Sequence, residues 1–174
     1  MSLELATLAT GLGKAVFPEI GKQMFTKVNS ILNPTDLEKA LKAGVKSAEE
    51  LDATQPYEKQ LFFHCDDKQT NETLKQFFKD TGVQEELLKP INDKSAPNLE
   101  LLIAYFKKIA SEKPTLKFPE QSIENWLKKF SDAYFEHTST YLKFQLAKAD
   151  YLKQLSKYFD AEMLKADTKL YILS

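Results

Sequence analysis

The sequence predicts an all-α fold, a compact bundle of about seven to nine helices, and three observations predict it. Apolar residues recur at three- and four-residue spacing through most of the 174 residues. No segment sustains the alternation of a half-buried strand, and only Leu170 to Leu173, at the very end, reads as strand-like. Punctuation is sparse, with 5 Gly and 7 Pro, and most prolines stand where a helix can begin, because the N–H they lack would be unpaired in a first turn.

The first candidate helices run from Leu3 to Val16 and from Pro18 to Leu32, parted or kinked at Pro18. Ile20, Met24, Phe25, Val28, Ile31 and Leu32 form the stripe of the second. Asn33 is placed to cap a helix opening at Pro34, with Asp36 and Glu38 at its positive end and Leu37, Leu41, Val45, Ala48 and Leu51 on one face. A short helix from Pro56 carries Tyr57, Leu61, Phe62 and Phe63. Asp66 or Asp67 caps the next, which buries Leu74, Phe77 and Phe78 and ends at Gly82, read as a left-handed stop. Val83 to Ile91 forms another short segment, closed by Asn92, Asp93 and Lys94.

Pro97 opens the clearest pattern, with Leu99, Leu102, Ile103, Phe106 and Ile109 inward, ending before Pro114. From Pro119 to about Phe159 the periodicity is almost unbroken: Ile123, Trp126, Leu127, Phe130 and Tyr134, then Tyr141, Leu142, Gln145, Leu146, Ala149, Leu152, Leu155 and Phe159. Thr and Ser crowd at His137 to Thr140, so a break or bend is expected there. The whole reads as one domain, residues 1–174. An apolar segment occupies about residues 1–17, and about residues 165–174 are expected to begin a linker to a further module.

Composition removes several function classes. The 24 basic residues nearly balance 25 acidic ones, which leaves no positive field for nucleic acid. Every basic residue is Lys, so the rigid guanidinium fork that suits phosphate and guanine is absent, and a helical ribonuclease built on an Arg-x4–6-His motif has no Arg to start it. The lone Cys65 has no partner for a disulfide and suits a reducing, cytoplasmic setting. Charges at Glu4, Lys14 and Glu19 interrupt the apolar start, which therefore reads neither as a secretory signal nor as a membrane span.

The motifs that invite chemistry do not carry it. Gly11-Leu12-Gly13-Lys14-Ala15 fails as a phosphate loop, with Leu8 where the first Gly belongs and Ala15 where the hydroxyl belongs. His64 and Cys65 are adjacent in sequence, and neighbouring side chains rarely face each other, so the imidazole is badly placed to activate the thiol. The carboxylate pairs Glu49-Glu50, Asp66-Asp67 and Glu85-Glu86 read as helix N-terminal charges with ordinary titration. The 12 Phe, 7 Tyr and single Trp fall mostly on the apolar stripes, with Tyr134, Tyr141 and Tyr151 expected to be partly wet. No catalytic, cofactor-binding or metal residue is assigned, and no cofactor.

Two segments, LFFHCDDKQTNETLKQFFKDTGVQEELLKPI and FSDAYFEHTSTYLKFQLAKADYLKQLSKYFD, resemble the N-terminal helical region of large bacterial, mostly cyanobacterial, NACHT-type NTPases. The resemblance covers about residues 10–165. It implies a non-catalytic helical module ahead of a nucleotide-binding NACHT domain, working in signal transduction or defence, with the downstream NACHT module or further copies of itself as partner. Walker sequences are missing here, so nucleotide hydrolysis would belong outside this chain. The alternative is a membrane-acting effector that uses Leu3, Leu5, Leu8, Leu12, Val16 and Phe17 as an insertion helix when clustered.

Overall fold

A computed structural model describes residues 16–28 and 32–173. Among these residues it has six α-helices, one 3-10 turn and no strand, so the helical class holds and the count falls just below that expected. The helices are α1 (Phe17–Phe25), α2 (Pro34–Asp52), α3 (Asp67–Lys79), α4 (Thr81–Asn92), α5 (Leu99–Ser111) and α6 (Glu120–Leu173).

Helix α1 starts with Pro18 in its first turn and buries Phe17, Ile20, Gly21 and Met24. It ends at Phe25 rather than near Leu32, yet Leu32 returns to the core from the connection. Gly21 is needed for close approach, since a Cβ there would come within 2.8 Å of the Pro34 carbonyl oxygen. The Asn33 side chain and Asp36 cap α2 reciprocally, the Asp36 N–H donating to Asn33 Oδ1 at 2.9 Å and the Asn33 N–H to Asp36 Oδ2 at 3.4 Å. Leu37, Leu41, Val45 and Ala48 then run down the buried face of α2.

The segment after Pro56 is not a full helix. It makes only the 3-10 turn Tyr57–Lys59, because its backbone bonds are diverted: the Leu61 N–H donates to the Asp52 carboxylate at 3.0 Å, and Lys59 O accepts the Ser122 hydroxyl. Asp66 caps α3 through a capping box with Gln69. The stop at Gly82 is overturned. Helix α3 already ends at Lys79, and Asp80 serves both as its C-cap and as N-cap of α4, accepting from the Gly82 N–H at 2.8 Å and the Val83 N–H at 3.2 Å. Gly82 has no positive φ; a Cβ there would overlap the Tyr105 ring.

Gln84, 2% exposed, ties α4 to α1. Its amide donates to Phe78 O and Gln23 Oε1, both at 3.0 Å, and its oxygen accepts from Lys27 Nζ at 2.8 Å. Lys94, at φ 54°, ends the α4 segment, and Asn98 caps α5.

Helix α6 is the mast of the fold. Its 54 residues would span roughly 80 Å. The expected break at His137 to Thr140 does not occur: Thr138 is fully buried, and Thr140 satisfies its hydroxyl on the Glu136 carbonyl at 2.9 Å without leaving the helix. The strand-like end is helical too, through Leu173. Ile123, Trp126, Leu127, Phe130 and Tyr134 line the core, while Tyr141 and Leu142 pack at its margin. Beyond them every described side chain is exposed or, at Gln145 and Leu155, half-exposed. The bundle therefore has a helical projection of about 45 Å and is not compact throughout.

Candidate interaction surface

The core is largely aromatic. Phe62 meets Phe106, Phe118 and Trp126 edge to face at centroid distances of 6.1–6.4 Å, while Trp126, Phe130 and Tyr134 stack successively along α6 at 5.8 Å. Tyr134 is fully buried rather than wet, its hydroxyl donating to Leu87 O at 2.7 Å, and burial raises its pKa. Tyr141 is half-buried and Tyr151 exposed, as expected of both. Most of the aromatics thus build the bundle.

The residues that invite chemistry are dispersed. His64 rests edge-on against Phe63 at 4.9 Å, and His137 sits beside Tyr141 at 6.2 Å. The Cys65 thiol is half-buried, and burial, then the charge of Asp66, raises its pKa, opposite to what an activated nucleophile needs. Among the described residues, no three His, Cys, Asp or Glu side chains gather to hold a metal. The Gly11 to Ala15 run lies outside the described residues, as does most of the apolar start. Its last two residues, Val16 and Phe17, are buried in the core.

Two carboxylate pairs depart from their reading as helix N-terminal charges, Glu85-Glu86, which lies beyond the first turn of α4, and Glu49-Glu50. Glu49 and Glu50 lie in the last turn of α2, where the helix dipole disfavours them, and Glu49 is 6% exposed. Burial, then Asp52 and Glu50, raises its pKa to about 8; Asp52 rises to about 6 by burial, held back by its bond from the Leu61 N–H. The spacing had signalled this, since Glu49 follows Leu41 and Val45 at intervals of four. Glu86 is also buried, pairing with Lys89 Nζ at 2.7 Å and accepting the Asn98 N–H at 2.8 Å. Beside Asp52, a cavity lined by Leu51, Gln55, Ser122, Asn125 and Trp126 has room for about one water molecule.

The surface that stands out is the projection. From Phe144 to Ile172, ten large hydrophobic side chains are 43–78% exposed, and among the described residues no helix covers them. Its stripe continues the face that packs on the bundle, from Phe130, Tyr134 and Thr138 through Leu142 and Gln145 to Ala149, Leu152 and Phe159. Periodicity located this stripe but assigned it to the core. Four of the ten, Leu152, Phe159, Met163 and Leu170, lie on this stripe, while Phe144, Tyr151, Tyr158 and Ile172 recur at multiples of seven on a second face.

The family model for NACHT N-terminal Helical domain 2 matches residues 8–166. The chain belongs to that family. The match takes in both the bundle and most of the projection, and it agrees with the resemblance seen in the two long segments. Searches of curated proteins and of solved structures gave no match. The NACHT N-terminal helical domain is distinct from the NTPase domain for which the family is named. Among the described residues, no helix is long and apolar enough to cross a membrane.

Proposed function

We propose that this chain is a non-catalytic helical interaction module of a NACHT protein, acting in signal transduction or defence, and that its projecting helix is the element that binds protein. One observation carries the reading: α6 continues for about 45 Å beyond the bundle, exposing ten large apolar side chains with no other described residue against them. Exposed apolar area of that extent is costly in water and marks a surface meant to be covered. The partners that fit are the NACHT module of the same protein or further copies of the domain. A cytoplasmic setting accords with the single half-buried thiol. The membrane-acting alternative rests on residues outside the described part, and its described end, Val16 and Phe17, is buried.

The test compares the purified chain with the NACHT protein that contains it. The chain alone is expected to hydrolyse neither ATP nor GTP. In the NACHT protein, Tyr151→Asp with Tyr158→Asp is expected to alter nucleotide-dependent assembly while leaving the bundle folded, since both tyrosines are about 60% exposed. Turnover by the chain itself, or assembly indifferent to these substitutions, contradicts the reading.

A further inference from the structure

We infer that the projecting half of α6 pairs with the same segment of a second copy, antiparallel, as a two-stranded coil. This rests on the reading of the projection as a protein-binding element and names its partner.

The spacing is the first observation. Leu142, Gln145, Ala149, Leu152, Ser156, Phe159, Met163, Ala166 and Leu170 follow one another at alternating intervals of three and four. That is a 3.5-residue repeat, the pattern of a two-stranded seam rather than of a broad membrane-facing surface. Lys148, Lys153, Asp160, Glu162, Asp167 and Lys169 occupy the flanking positions of the same repeat, where paired helices exchange charges.

Charge favours one direction. Residues 143–157 carry Lys143, Lys148, Lys153 and Lys157 against Asp150, a net of 4 − 1 = +3. Residues 158–169 carry Asp160, Glu162 and Asp167 against Lys165 and Lys169, a net of 2 − 3 = −1. An antiparallel partner lays the positive stretch against the negative one. In the register that uses the full exposed length, Leu152 opposes Met163 of the second copy and Ser156 opposes its Phe159, so a small residue meets a large one at the centre. Lys153 then faces Asp160 of the second copy, twice by symmetry, against one like-charge contact, Lys148 beside Lys169, near each end. A parallel pair instead sets Lys148 beside Lys153 and Glu162 beside Asp167, like against like, with no opposite pair among the flanking charges.

Four large apolar side chains of the repeat, Leu152, Phe159, Met163 and Leu170, are 52–68% exposed and present on the order of 500 Å² per copy, the size of a functional surface patch. The antiparallel arrangement also puts the two bundles at opposite ends of the pair, out of each other's way.

Sedimentation equilibrium of the chain over a concentration series, with single-cysteine cross-linking in a Cys65→Ser background, tests the proposal. The chain is expected to dimerise, and Leu152→Asp with Met163→Asp, both at exposed positions, is expected to leave a folded monomer. Lys153→Glu and Asp160→Lys are each expected to weaken the dimer at least several-fold and together to restore it. Chain carrying Ala149→Cys is expected to cross-link to chain carrying Ala166→Cys, and neither to itself. A monomer throughout, a dimer indifferent to the seam, or cross-linking of Ala149→Cys to itself overturns the inference. Co-sedimentation of a monomeric chain with anionic phospholipid vesicles overturns it too, in favour of a lipid surface. Each of these can occur while the NACHT protein still depends on Tyr151 and Tyr158, so the two readings fail separately.

Discussion

The Tyr134 hydroxyl donates to the carbonyl oxygen of Leu87 at 2.7 Å, in a fully buried contact that fastens α6 to α4. Tyr134→Phe keeps the ring and its stacking on Phe130 and loses the hydroxyl that makes this bond. The expected cost is about 1 kcal/mol, read as a lower urea midpoint with unchanged slope. An unaltered midpoint contradicts a role for the hydroxyl.

Gly44 meets Phe130 at the crossing of α2 and α6. A Cβ at this position would lie 2.8 Å from two ring carbons and 3.1 Å from the Phe130 carbonyl oxygen. Gly44→Ala should therefore destabilise by roughly 1–3 kcal/mol, although alanine is the better helix former. Phe130→Leu, harmful alone, should cost less in the Gly44→Ala background, a coupling that a double-mutant cycle measures.

Glu49 makes stability depend on pH. Its folded pKa, about 8, lies above the unfolded value of 4.5, so between these the folded state holds the proton more tightly and stability falls as pH rises. The full benefit of the protonated form is present only below about pH 4.5 and is lost progressively from there until the carboxyl has ionised through pH 8. Glu49→Gln should flatten this decline and leave the variant more stable than the parent at about pH 9, by on the order of 1–3 kcal/mol. Denaturation at several pH values decides; parallel curves for parent and variant contradict the burial of an uncompensated carboxyl.

The projection should be energetically separate from the bundle. Ser156→Pro interrupts α6 where no described helix packs against it, so helical ellipticity should fall while the melting temperature of the bundle moves by no more than about 2 °C. A large drop in melting temperature contradicts that separation.

How far the sequence carried these conclusions differs by element. Local chemistry was legible: Asn33 was read as a cap from residue type alone, the next cap was narrowed to Asp66 or Asp67, of which Asp66 serves, and the stripe of α5 predicted Leu102, Phe106 and Ile109 inside. Gly82 was misread because glycine serves both left-handed stops and close contacts, and only the fold brings Tyr105 against it. Thr138 and Thr140 suggested a break, yet a long helix tolerates them when one is buried and the other bonds back to its own backbone. The projecting stripe was visible as periodicity, but whether an apolar face is covered depends on what the rest of the chain reaches, which no local pattern encodes.

The most direct test of the central claim, that the projecting helix is the protein-binding element, is hydrogen–deuterium exchange over residues 143–170 in the isolated chain at low concentration and in the NACHT protein. The account predicts rapid exchange in the isolated monomer and strong protection in the larger protein, with residues 120–140 protected in both. Equal exchange of the projection in the two states would contradict it.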